Sequence, residues 1–208
     1  MAYIEMKHIR KSYGDKKVLE DFNLSVEKGE FIGIRGESGK GKSTLLNIAG
    51  LLEPCEGEIK IDGNAVTSKD YKNLYKRFHI KIGYLFQNFA LIDDGCVYDN
   101  LKIVQKGFSK ENRKKMMEVL HKVGFPESVL KQKVYQLSGG EQQRIALARI
   151  MLYDSDIILA DEPTGSLDRK NKEIVMKLLV NLQKEKRTIL MVSHDDDVLK
   201  YCSRTVQL

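Results

Sequence analysis

The sequence predicts an α/β fold with a core of mostly parallel sheet flanked by helices, an N-terminal antiparallel β subdomain and an inserted helical subdomain. Three observations predict it. Short apolar runs of strand length, such as Phe31 to Ile34, Lys81 to Phe86, Asp156 to Ala160 and Thr188 to Val192, recur between helical stretches. Residues 3 to 35 alternate apolar and polar side chains around turn residues, the pattern of antiparallel strands. From Asn88 to Gln136 the pattern turns helical.

A chain of 208 residues, 42% hydrophobic and 31% charged, is the size of one globular domain. Its expected organisation is a core formed by 1–87 and 137–208 with the helical subdomain at 88–136. No apolar run approaches bilayer-spanning length, and Met1 to Lys11 lacks a signal-peptide core, so a soluble cytosolic chain is expected. Cys55, Cys96 and Cys202 are odd in number and have no metal-like spacing, which predicts reduced thiols used as small core residues.

The net charge of +6 concentrates in two clusters: Lys69, Lys72, Lys76, Arg77 and Lys81, then Lys110, Arg113, Lys114 and Lys115. Solvated helix faces account for both, and an anionic membrane surface is the alternative. Nucleic acid is not expected, since no aromatic platform or reader motif accompanies the charge.

Taken in order, Val18 to Val26 between Gly14-Asp15 and Lys28-Gly29 reads as a strand between turns, and Glu58 to Ile61 before Asp62-Gly63-Asn64 as another. Tyr13 is either core packing or a ring that stacks on a nucleotide base. Gly36-Glu37-Ser38-Gly39-Lys40-Gly41-Lys42-Ser43-Thr44 fits the phosphate-binding pattern G-x-x-x-x-G-K-[ST], with a strand before it and a predicted helix, Ser43 to Leu52, after it. Glycines let the backbone N–H groups curl inward, and the helix N-terminus adds its positive dipole end. Lys42 then reaches the β- and γ-phosphates, and the Ser43 hydroxyl is placed to ligate Mg²⁺.

The strand at Lys81 to Phe86 delivers Gln87 at its carboxyl end, where ligands bind in open α/β sheets, so Gln87 is a candidate ligand of Mg²⁺ or its water. Phe89, Ala90, Leu91 and Ile92 follow in a segment closed by Asp93-Asp94-Gly95, and some of them are expected to stay uncovered for a partner. Ser109 is a predicted N-cap before a helix from Glu111 to Val123, with Gly124 as the stop. Ser138, Gly139 and Gly140 open a helix from Gln143 to Met151 and form a second helix end suited to a phosphate. One chain with two such ends and one nucleotide completes its site by pairing with a second copy; the alternative is a capped Gly-Gly turn. Asp161 and Glu162 end a further apolar strand, and neighbours on a strand point to opposite faces, which gives them different tasks. Asp161 is expected to hold Mg²⁺ and Glu162 to orient the attacking water. A helix from Lys170 to Lys184 follows, and the strand Thr188 to Ser193 places His194 at its end.

Together Gly36 to Thr44, Gln87, Leu137 to Gln142, Ile157 to Glu162, Ser166 to Asp168 and His194 resemble, in that order, the nucleotide-binding subunit of ATP-binding cassette transporters, whose core is a P-loop NTPase. The resemblance covers essentially the whole chain. It implies ATP hydrolysis at two sites shared across a head-to-tail homodimer, with Tyr13 on adenine, Glu162 as catalytic base and His194 on the γ-phosphate. Gln87 then senses Mg²⁺ and a separate transmembrane permease, contacted through 87–101, which keeps the chain on the inner face of the membrane. Asp168 falls at the dimer contact, and Ser138, Gly139 and Gly140 on the opposite subunit's ATP. Pro163 to Asp168 and Phe86 to Asp94 are similar to the macrolide- and bacteriocin-export branch that includes lipoprotein release. That implies export of a peptide, bacteriocin or drug-like substrate; control of a signalling membrane complex, a cytosolic cassette switch and a small-molecule kinase are the alternatives. Lys40 departs from the family's usual small residue, and the sequence leaves it facing solvent, touching phosphate or altering affinity. The chain ends at Leu208 soon after the last core element, which favours an exporter-like branch.

Overall fold

The computed structural model describes residues 2–37, 39–105, 107 and 109–208. Strands β1 (Ile4–Tyr13), β2 (Lys16–Val26), β4 (Glu56–Ile61) and β5 (Asn64–Val66) form an antiparallel sheet in the order β2-β1-β4-β5. The β1–β4 register shifts between Lys7 and Arg10. Opposite that shift Gly57 has φ +101°, and a Cβ there would lie 2.5 Å from the Lys7 carbonyl oxygen, so only glycine fits.

The second sheet is parallel and five-stranded. It joins β3 (Phe31–Arg35), β6 (Ile82–Leu85), β7 (Ile157–Asp161), β8 (Thr188–Val192) and β9 (Arg204–Gln207) in the order β6-β7-β8-β3-β9. Its interior strands are apolar on both faces because both faces are covered. Phe31, Ile158, Ala160, Ile189 and Met191 pack toward the helices, whereas Ile32, Ile34, Ile157, Leu159, Leu190 and Val192 pack toward α1 (Lys42–Ala49) and the antiparallel sheet. The helical side comprises α3 (Val97–Lys102), α4 (Lys110–Lys122), α5 (Gly139–Tyr153), α6 (Arg169–Lys184) and short α7 (Asp196–Leu199), with short α2 (Leu74–Phe78) on the other side.

Several sequence expectations change here. The antiparallel reading of residues 3 to 35 ends at Val26, because β3 is a parallel strand between β8 and β9. The helix after the phosphate loop stops at Ala49: Gly50 lies where a Cβ would meet Leu159 Cδ1 at 2.8 Å, and Leu51 turns left-handed at φ 59°. The stretch Asn88 to Gly95 is irregular, and helix begins at Val97. Ser109 does cap α4, its Oγ accepting from the Asn112 N–H at 3.0 Å. α5 begins at Gly139 and α6 at Arg169, each earlier than read. Cys96 is no core thiol: it caps α3 and its Sγ donates to Asp99 Oδ2 at 2.9 Å. Cys202 does pack beside Gly33, and burial pushes its thiol up to about 12.

Candidate active site

The carboxyl ends of β3, β6, β7 and β8 meet at one cleft of about 690 Å³. β3 leads into the phosphate loop, where Gly39 (φ +78°) and Gly41 (φ +89°) take left-handed backbone. A Cβ on Gly41 would lie 2.4 Å from Val18 Cγ1, so the loop and β2 close on each other only around a glycine. The Lys42 ammonium donates to the carbonyls of Gly36 at 2.8 Å and Glu37 at 2.9 Å, which holds it inside the loop's curve. Ser43 and Thr44 follow at the α1 N-terminus and line the cleft. Ser38 lies outside the described residues.

Asp161 ends β7 and accepts a hydrogen bond from Ser43. Burial raises its carboxyl above the usual range, the Ser43 bond opposes that, the neighbouring Glu162 charge adds to it and Lys42 opposes it. A desolvated carboxylate beside a hydroxyl and a second carboxylate suits a hard divalent cation. The protein donors present are few, namely Ser43, Asp161 and Gln87, which is the pattern of Mg²⁺ held jointly with phosphate oxygens and water. Glu162 does not continue the strand. Its φ of +45° breaks the alternation expected from the sequence, so Asp161 and Glu162 open into the same cleft. A turn closes behind it, with the Gly165 N–H on the Glu162 carbonyl at 3.1 Å. His194, one residue beyond the buried Ser193, places Nδ1 2.8 Å from Glu162 Oε1.

Tyr13 lies on the opposite rim and is half exposed. Its hydroxyl donates to Glu53, which raises its pKa, while a bond from Thr44 lowers it. The ring is therefore held by its tip, with the Lys11 ammonium 5.0 Å from its centroid over one face, and at half exposure it is not core packing. Gln87 follows β6, whose Tyr84 stacks on Phe86 at 4.0 Å and donates to Asn47 Oδ1 at 3.0 Å, tying the strand end to α1. Lys40 is exposed, lies 3.7 Å from Glu37 Oε2, and is not among the residues that line the cleft.

Ser138, Gly139 and Gly140 stand away from this cleft at the α5 N-terminus. Ser138 N and Oγ donate to Glu141 Oε2 at 2.8 and 2.7 Å, a capping box. Sequence reasoning missed Lys16 and Val18, which line the cleft from a hairpin that carries no motif. It also missed Gln143, fully buried and donating to the Pro163 carbonyl at 2.6 Å, which a polar residue inside an apolar helix pattern signals.

Comparison with known proteins gives the family. The ABC transporter family profile matches residues 19–165. The chain belongs to the ABC transporter family. The ABC transporter ATP-binding protein MJ0796 of Methanocaldococcus jannaschii is 40% identical over 217 residues, covering 99% of this chain and 92% of that one. A dimeric structure of that cassette superposes with a TM-score of 0.88 at 39% identity, covering 99% of this chain and 94% of that one. A further structure of it, described as a post-hydrolysis state bound to ADP and Pi, gives 0.87 at 37% identity and the same coverage. The macrolide export ATP-binding/permease protein MacB of Shewanella sp. is 40% identical over 195 residues, or 92% of this chain. This chain spans only 30% of that MacB. The protein is thus an ABC ATPase cassette, and among its described residues no helix is long and apolar enough to cross a membrane.

Proposed function

We propose that this cassette hydrolyses Mg·ATP as a homodimer and drives a separate membrane permease contacted through 87–101, in an exporter of a peptide, bacteriocin or drug-like substrate. The observation that carries the reading is the His194–Glu162 pair at 2.8 Å in one cleft with Asp161, Ser43 and Lys42. Lys42 and the loop N–H groups hold the β- and γ-phosphates, and the Tyr13 face takes the adenine. Ser43, Asp161 and Gln87 hold Mg²⁺, which when bound supplies charge neutralisation on those phosphates. Glu162 takes the proton of the attacking water as its oxygen bonds to the γ-phosphorus and the bridging oxygen leaves with ADP. His194 keeps Glu162 aimed and meets the γ-phosphate. Ser138, Gly139 and Gly140 reach the nucleotide of the second copy, where the α5 N–H groups and dipole favour an anion. Residues 88–136 form the helical subdomain that brings them there. Relatives named for macrolide export support the export branch, and the exposed Ile92 supports a contact outside the chain. With those contacts the chain works on the inner face of the membrane.

Light scattering on the Glu162→Gln variant tests this. With Mg·ATP it runs as a dimer and with ADP as a monomer, while turnover drops about a hundred- to a thousand-fold. Adding Ser138→Arg abolishes the dimer, since a bulky cation opposes the helix dipole. Dimers indifferent to nucleotide, or near-normal hydrolysis by Glu162→Gln, refute the reading.

A further inference from the structure

We infer that Lys172 is a positioning residue for hydrolysis: by holding Asp195 it fixes the adjoining His194 against Glu162. The inference rests on the reading of His194 and Glu162 above, and it adds a residue that neither the phosphate loop nor the other motifs contain.

Two segments meet outside the cleft. Lys172 lies in the first turn of α6, and its Nζ is 2.7 Å from Asp195 Oδ2. Neither residue is among those that line the cleft. Their side chains are 33% and 26% exposed, so water screens this pair less than a fully solvated one. Asp195 is fixed in three ways at once. Its Oδ1 caps α7 by accepting from the Asp197 N–H at 3.0 Å, its own N–H donates to Ser193 Oγ at 3.2 Å, and Oδ2 is left for Lys172. The Lys172 bond is the main reason the Asp195 carboxyl sits below its usual range, which favours the carboxylate at neutral pH.

His194 sits between these anchors with its side chain 73% exposed. No packed wall steers the imidazole, so the backbone on either side sets its aim. Ser193 is fully buried on one side, and Asp195 is the handle on the other. A displacement of about 1 Å breaks a hydrogen bond of this length. Lys172 has a firm footing of its own. Asp168 caps α6 by accepting from the Asn171 N–H at 2.8 Å, and Asn171 Oδ1 accepts from Arg144 Nη1 of α5 at 3.0 Å. The first turn of α6 is thus locked to α5, and Lys172 passes that position on to the loop after β8.

The test is steady-state ATP hydrolysis by the full chain, comparing Lys172→Ala, Lys172→Arg, His194→Ala and the Lys172→Ala/His194→Ala double variant, each with a thermal melt. Lys172→Ala is expected to lower kcat about tenfold with KM for ATP within about twofold, and Lys172→Arg to recover most of it. In the His194→Ala background Lys172→Ala is expected to change nothing further, because its effect runs through that ring. If Lys172→Ala melts early, Lys172→Met keeps the apolar stem and removes only the charge, and the same comparison applies. A kcat within about twofold of the parent, or a further drop in the His194→Ala background, overturns the inference. If His194→Ala itself keeps normal turnover, the reading of the site fails and takes this one with it. If His194→Ala loses turnover and Lys172→Ala keeps it, the role of Lys172 alone fails.

Discussion

Replacing Gly140 with alanine reverses an ordinary helix rule. In an unencumbered helix the change gains about 1 kcal/mol in propensity. Here a Cβ would lie 2.4 Å from Asn171 Cγ and 2.6 Å from its Oδ1, so the Asn171 side chain must swing away. It then loses its bonds to Arg144 Nη1 and Asp168 Oδ2. The Asp168 end is in solvent, and water replaces it. The Arg144 end is half-buried, and its Nε already lacks a partner, so losing that charged bond costs about 2–3 kcal/mol. Net destabilisation is about 1–2 kcal/mol, a fall in Tm of about 2–8 °C for a chain of this size. Urea or thermal melts of Gly140→Ala in the parent and in Asn171→Ala give the answer. With Asn171 truncated the obstructing atoms are gone, and Gly140→Ala should raise Tm. An equal loss in both backgrounds refutes the packing argument.

The remaining expectations concern the surface and the carboxylates. Phe89 and Leu91 pack half-buried on the helical core while Ile92 is 51% exposed. Phe89→Ser should therefore cost about 1–2 kcal/mol in a melt, whereas Ile92→Ser leaves the melt unchanged and lowers permease-coupled turnover; an early melt for Ile92→Ser would place it in the core. Asp154 is raised by burial, but Arg187 and Lys81 outweigh this and its carboxyl ends below its ordinary range. A depressed folded pKa gives stability that is present above the unfolded value and lost as pH falls through the folded one. Asp154→Asn should thus lower Tm near pH 7, with the gap closing below about pH 4, and a gap that widens with acid would contradict the assignment. Tyr13→Ala should weaken ATP binding while Tyr13→Phe, which keeps the ring, binds nearly normally by fluorescence titration; equal losses would make the Glu53 bond the essential contact.

The fold and the chemical residues were largely legible, for a physical reason. Parallel strands covered on both faces must be apolar throughout, so β7 and β8 announce themselves as runs, and Asp161 and His194 just beyond those runs fall at the cleft. What was hidden depends on contacts distant in sequence. Nothing local marks Lys172 as the partner of Asp195, or Lys16 and Val18 as cleft wall, because those pairings arise only when β2, α6 and β8 are brought together. Strand alternation misjudged Glu162, since the left-handed turn there follows from the closure back to Gly165 and not from the residue type. The apolar stretch after Gln87 was expected to stay uncovered in part, but which residues turn inward was not legible: Arg149 donates to the Phe89 and Ala90 carbonyls, and Phe89 and Leu91 pack on the core.

The strand order also governs how the protein comes into being. β3 has β8 and β9 as its neighbours in the sheet, and both are made long after it on the ribosome. Until Thr188 to Val192 emerges, Phe31-Ile32-Gly33-Ile34 has neither of its sheet neighbours to bond to. The antiparallel sheet, by contrast, closes within the first third of synthesis, through two hairpins joined by the longer-range β1–β4 pairing of Ile4 with Ile61. The nascent chain therefore carries a finished β layer and an unpaired, sticky central strand at the same time. This favours capture by a chaperone over early self-assembly. A half-made chain holds the phosphate loop and Tyr13 but not Asp161, Glu162 or His194, so its cleft is incomplete until β7 and β8 are in place.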